Sequence, residues 1–141
     1  MTHSVPAMPI TDATLSEMRR LAREAAKHAY APYSGFLVGA AALGGSGRMY
    51  AGANVENASY GLSMCAERSA IFRALADGEH RIQALCLYTA TPAASTPCGA
   101  CRQVIQEFGP DALVVCCTDD DDRERRYALR ELLPDPFGLR K

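Results

Sequence analysis

The sequence predicts the α/β class, with a mixed sheet sandwiched between helices. Stretches with apolar residues at helical spacing alternate along the chain with continuous apolar runs of strand length. The chain has 141 residues, of which 48% are apolar and 22% charged. That length is close to one domain of about 150 residues, and the composition suits a soluble globular protein. A single domain over residues 1–141 is therefore expected. A chain of this size buries roughly two-thirds of its unfolded surface, so a core forms without disulfide staples.

The elements follow in order. Residues 1–11, with Pro6 and Pro9, read as a loosely ordered terminus. From Asp12 a helical stripe runs through Leu15, Met18, Leu21, Ala22, Ala25, Ala26 and Ala29. Thr11 or Asp12 can cap it, and Pro32 ends it. Phe36 to Leu43 reads as a buried strand, and Gly44-Gly45-Ser46-Gly47 turns it into a second, Arg48 to Asn54. A loop leads to a helix that begins at Cys65 and runs to about Asp77, stopped by Gly78. Ile82 to Thr89 is a third strand, the loop from Ala90 to Pro97 follows, and a short helix spans about Cys98 to Phe108. Ala112 to Thr118 is the fourth strand. Asp119 to Asp122 turn into a short charged strand, and a last helical turn ends at Leu133-Pro134. Two strands each preceded by a helix imply right-handed crossovers and neighbouring parallel strands.

Charge narrows the function. Fifteen Lys and Arg stand against 16 Asp and Glu, a net charge of −1. That balance supplies no long-range attraction to nucleic acid or to anionic membranes. The longest apolar run, Phe36 to Leu43, is far short of the ~20 residues that span a bilayer. Met1 to Pro6 carries neither the basic start nor the apolar stretch of a signal peptide, which reads as a cytoplasmic chain.

Six cysteines carry the chemistry: Cys65, Cys86, Cys98, Cys101, Cys116 and Cys117. In a cytosolic chain, closely spaced cysteines read as metal ligands or redox thiols rather than disulfides. Cys65-Ala66-Glu67 and, thirty-one residues after Glu67, Cys98-Gly99-Ala100-Cys101 form the informative set. Catalytic zinc takes three protein ligands and keeps a fourth position for water. Cys65, Cys98 and Cys101 supply three thiolates, and both segments sit at helix starts, where N–H groups and the dipole favour thiolate. Positions i and i+3 share a helix face, so Cys98 and Cys101 can reach one metal. Glu67, two residues from a ligand, can face the open position and move protons there.

Plainer readings fit the residues less well. A redox Cys-x-x-Cys pair has no use for a third cysteine. A closed structural zinc site lacks a fourth ligand, because His3, His28 and His80 have no ligand spacing. Cys86, Cys116 and Cys117 read as small core residues, with Cys116 and Cys117 on opposite sheet faces. A zinc-stabilised binding module would not place a glutamate beside an open position.

The set Cys-x-Glu with Pro-Cys-x-x-Cys resembles the signature of zinc deaminases. From about Tyr30 to Gly138 the chain resembles a cytidine deaminase of the small, homotetrameric, nucleoside-metabolising kind. The resemblance rests on Tyr30-Ala31-Pro32-Tyr33-Ser34, on Phe36 to Ala41, on Asn54 to Tyr60, on Cys65 to Arg68 and on Pro97 to Gln103. Leu132-Leu133-Pro134 with Phe137-Gly138 matches the family's tail. It implies a three-layer α/β/α sandwich with a mixed five-stranded sheet, in agreement with the element order. It also implies one Zn²⁺ per chain held by Cys65, Cys98 and Cys101, and deamination of cytidine and deoxycytidine in pyrimidine salvage. A zinc-bound hydroxide would attack C4 while Glu67 shuttles protons to N3 and to the departing amine.

The resemblance further places backbone groups of Ala66 on the pyrimidine edge, Asn54 and Glu56 on the ribose 3′-hydroxyl, and Phe36 against the ring. Phe137 and Tyr60 would reach a neighbouring subunit's pocket in a homotetramer. Pattern alone gives Phe36 a packing role, and Asn54 and Glu56 a solvated strand end. Three thiolates on Zn²⁺ leave a net −1, so a nearby donor should draw off charge. Arg68 is the expected donor to a ligand sulfur, with Arg102 as second choice. Two rival substrates share this chemistry. Nucleic-acid editing calls for basic grooves and stacking aromatics, but aromatics are 7% and Trp is absent. An antibiotic nucleoside such as blasticidin fits less well than cytidine the pairing of Phe36 to Gly39 with Asn54 to Glu56.

Overall fold

The computed structural model describes residues 10–139. The terminus expected to be loosely ordered lies outside that range except for Ile10 and Thr11. Helix α1 covers Asp12–Ala26, followed by β1 (Val38–Gly44), β2 (Met49–Ala53), α2 (Ala66–Ala76) and β3 (Ile82–Thr89). Then come α3 (Gly99–Phe108), β4 (Leu113–Cys117), β5 (Arg125–Ala128) and α4 (Leu129–Leu132).

Thr11 caps α1, its hydroxyl accepting the Thr14 N–H at 3.1 Å, and Leu15, Met18, Ala22 and Ala26 form the buried stripe. The helix ends at Ala26, short of the expected Ala29. The N–H groups of Lys27, His28 and Ala29 reach back three residues, to Glu24, Ala25 and Ala26, so the chain tightens into a 3₁₀-type turn. The first strand starts at Val38 rather than Phe36. Asn54 occupies the backbone just ahead of it, accepting the Val38 N–H and donating to the Phe36 carbonyl, both at 2.8 Å.

The five strands are ordered β2-β1-β3-β4-β5. β1 is antiparallel to both β2 and β3, β3 is parallel to β4, and β4 is antiparallel to β5. The expectation of neighbouring parallel strands therefore holds at β3–β4 alone. β1 lies between β2 and β3, so the α2 crossover joins strands that are parallel but not adjacent.

The core has two layers. On one face, Leu15, Met18 and Ala22 of α1 pack against Ala41, Ala84, Cys86 and Val115. On the other, Ala70 and Ile71 of α2, Ile105 of α3 and Leu129 of α4 pack against Ala40, Leu85 and Val114. The result is an α/β/α sandwich around a mixed five-stranded sheet, as expected. Ile71, Leu85 and Ile105 have no exposed surface; truncating such a side chain to alanine costs ~2–5 kcal/mol. Two glycines set how closely the layers approach. A Cβ on Gly39 would stand 1.8 Å from the Ala22 carbonyl oxygen, and one on Gly52 2.4 Å from the Ala70 nitrogen. Helix backbone thus rests directly on strand backbone at both positions. Among the described residues no helix is long and apolar enough to cross a membrane.

Candidate active site and metal centre

Cys65 and Cys98 are the N-cap residues of α2 and α3, both extended, and neither side chain is spent on a capping hydrogen bond. Cys101 lies one turn into α3 and is buried. The three sulfurs all lie within 4.8 Å of one another. Cys65 Sγ and Cys98 Sγ are 3.8 Å apart, and Cys98 Sγ and Cys101 Sγ 3.4 Å. Zn–S bonds of ~2.3 Å in tetrahedral geometry put sulfurs about 3.8 Å apart, so this donor set fits Zn²⁺ in spacing as well as in chemistry.

Arg68, one turn into α2, donates from Nη2 to Cys65 Sγ at 3.4 Å. Its Nε is buried without a hydrogen-bond partner. The Cys65 thiol is pushed down to about 5, first by hydrogen bonding from Cys101 and further by Arg68 and Cys98. The Arg68 pKa is raised in turn, chiefly by its bond to Cys65. Arg102, the second choice, is committed elsewhere: it donates to the carbonyls of Pro97 and Leu132 and to Thr96 Oγ1.

Glu67 is the second residue of α2 and only 4% exposed. Burial raises its carboxyl to about 7, against the opposing pull of its own backbone N–H. A carboxyl with that value both accepts and releases protons near neutrality.

A cavity of about 270 Å³ opens over these residues. Its lining brings together Phe36, Asn54, Glu56, Cys65, Ala66, Glu67 and Cys98, which lie far apart in sequence. Tyr60 and Phe137 are not in the lining; they are 76% and 70% exposed. Asn54 and Glu56 already hold protein partners. Glu56 accepts the N–H groups of Tyr33 and Ser34 at 2.9 and 3.1 Å and the Ser34 hydroxyl. Hydrogen bonding by the Ser34 hydroxyl is the main reason its pKa is lowered. Together with the Asn54 bridge, these bonds secure the segment that carries Phe36 to the cavity rim.

Thr89, Ser95 and Thr96 also line the cavity, and sequence reasoning did not single them out. The available signal was a polar residue closing an otherwise apolar strand, followed by a Ser/Thr-rich loop ahead of Pro97-Cys98.

The family model for the cytidine and deoxycytidylate deaminase zinc-binding region matches residues 12–117. A cytidine deaminase of Mycobacterium tuberculosis is 44% identical over 128 residues, 91% of this chain and 92% of that protein. One from Sporosarcina psychrophila is 41% identical over 116 residues, 82% of this chain and 85% of its own length. The crystal structure of cytidine deaminase from Burkholderia pseudomallei superposes with a TM-score of 0.82 at 44% identity, covering 86% of this chain and 98% of that one.

Proposed function

This chain belongs to the zinc-dependent cytidine deaminase family, and we propose that it hydrolyses cytidine and deoxycytidine to uridine and deoxyuridine. Pyrimidine salvage is the use such a reaction serves, carried out in the cytoplasm by a single deaminase domain over residues 1–141. The convergence of Cys65, Cys98 and Cys101 beside a buried Glu67, at one cavity, carries the reading.

Cys65, Cys98 and Cys101 would hold one Zn²⁺, which when bound lowers the pKa of a water toward ~7. Glu67 would accept one proton from the attacking water and deliver it to N3 of the base, then take the remaining proton of the hydroxyl added at C4 and give it to the amine as the C4–N bond breaks. Water adds, ammonia departs and no redox partner is needed. The value near 7 suits a group that takes and gives a proton within one turnover. Arg68 stabilises the thiolate of Cys65, offsetting the net −1 charge of three thiolates around a dication. Ala66, at the start of α2, would offer backbone groups to the pyrimidine edge, and Phe36 would pack on its ring. Asn54 and Glu56 would meet the sugar with the hydrogen-bonding capacity left after they secure the Tyr33–Val38 segment.

Tyr60 and Phe137 are large and mostly exposed, which supports a role at a neighbouring subunit's cavity in a homotetramer. A monomer mass by light scattering would remove that role.

The direct test follows the ultraviolet spectrum of cytidine incubated with metal-quantified protein. Conversion to uridine that is lost on chelation and regained with zinc is the expected result. Protein with one zinc per chain that leaves cytidine unchanged would overturn it.

A further inference from the structure

We propose that Thr89 is a specificity-determining residue that presents a hydrogen-bond acceptor, and no donor, to the reacting end of the base. The inference rests on the deaminase reading above. Thr89 is the last residue of β3, 1% exposed, and lines the cavity with Glu67 and Cys98. Side chains alternate along a strand, so Thr89 shares the face of Leu85 and Leu87. Those two pack in the layer beneath α2 and α3, the helices that begin at the ligand cysteines.

The direction of its hydroxyl follows from counting protons. Thr91 Oγ1 lies 2.6 Å from the carbonyl oxygen of Ala93. A carbonyl can only accept, so the one Thr91 hydroxyl proton is committed there. Thr89 Oγ1 lies 2.8 Å from Thr91 Oγ1, and with the Thr91 proton spent, Thr89 must be the donor. Its own single proton is then used. Among the described residues no donor engages the remaining lone pairs of Thr89 Oγ1, which is left as an acceptor.

The substrate and product of deamination differ in the sense that such an acceptor reads. A 4-amino pyrimidine offers N–H donors at the reacting position, whereas the 4-oxo product offers only lone pairs there. A hydroxyl held as acceptor attracts the first and repels the second, favouring substrate entry and product exit. The relay through Thr91 is what prevents Thr89 from rotating to donate to the product. It also ties the strand end to the loop that leads into Cys98.

The test compares uridine and cytidine on zinc-loaded protein of measured metal content. The quantity is the ratio of the uridine inhibition constant to the cytidine KM, with uridine binding also measured by calorimetry. Thr89→Val should lower the ratio about ten-fold, because only the amino-bearing ligand loses a partner. Thr91→Val should lower it about three-fold by tightening uridine, since the Thr89 proton becomes free to point into the cavity. Thr89→Ser keeps the acceptor and should keep the ratio. Equal shifts in both constants, or none, would show that the relay only braces the loop and would overturn the proposal. If Thr89→Val does not fold, Thr91→Val decides alone. Wild-type protein that fails to turn over cytidine would instead sink the deaminase reading, and this inference with it.

Discussion

The chain holds two groups of three cysteines, and the nearest sulfurs in each are equally close. Cys98 and Cys101 are 3.4 Å apart, and so are Cys86 and Cys117. Their settings differ. Cys65, Cys98 and Cys101 come from two helix starts, meet a guanidinium, and border an open cavity. Cys86 and Cys117 face α1 from adjacent strands, while Cys116 packs on the opposite side of the sheet. Thiol acidity does not separate the groups: in the first, Cys65 is pushed down to about 5 while its bond to Cys65 raises Cys101. In the second, the shared bond lowers Cys117 and raises Cys86, and burial pushes Cys116 up to about 12. Among the described residues, Cys65, Cys98 and Cys101 are the only group that could hold a metal ion. Sulfur spacing is therefore a poor marker of a metal centre. A third donor converging from another element, at the edge of an open cavity, decides it.

The sharpest way to break this contrast is to exchange the fates of the two groups. Cys98→Ala should abolish stoichiometric zinc and cut turnover by roughly a thousand-fold or more, read by metal analysis and the uridine assay. Cys86→Ala, its counterpart in the sheet, should leave both intact. Glu67→Ala should retain zinc and the native circular-dichroism spectrum while losing roughly 10²–10⁴ in turnover. Retention of even a tenth of the activity would remove Glu67 from the proton shuttle. Arg68→Gln, with zinc content matched, should slow turnover about ten-fold by leaving the thiolate charge unrelieved. Cys86→Ser places a hydroxyl where a buried sulfur sat, and should lower stability by ~1–3 kcal/mol in denaturant titrations without touching zinc.

The smallest effect lies beside the second group. Burial raises the Glu124 carboxyl, but hydrogen bonds from Arg19 and Arg126 outweigh it and leave the value below 4.5. Its folded value is thus below its unfolded one. The stabilisation is complete above about pH 4.5 and fades as pH falls through the folded value. Glu124→Gln should flatten the acid limb of the stability curve by under about 1 kcal/mol, as measured by denaturant midpoints between pH 6 and pH 3.

How much of this was legible beforehand depended on whether the interaction is local. The meeting of Cys65, Cys98 and Cys101 beside Glu67 could be read because these residues sit within four-residue motifs at helix starts. The same holds for the cap at Thr11. The Asn54 bridge to Phe36 and Val38 spans 18 and 16 residues and follows from which strands pair, which no local pattern encodes. Strand order was hidden for the same reason: hydrophobic runs show that β1 and β3 are buried, not that β1 lies between β2 and β3. Thr89 escaped notice because a threonine closing an apolar strand has the residue type of any strand end. Its meaning lies in a proton count that needs the positions of Thr91 and Ala93.

The sulfur cluster also has a consequence for the unfolded chain. A metal joining Cys65 to Cys98 closes a loop of 33 residues, as a disulfide between them would. In the folded chain that loop is already closed, whereas an unfolded chain would have to supply about 3–4 kcal/mol of closure entropy on the disulfide scale, so the metal favours the folded state. Thermal stability is then coupled to free metal by mass action, about 1.4 kcal/mol for each tenfold rise above the dissociation constant. The melting temperature of this fold becomes a gauge of the zinc buffer around it.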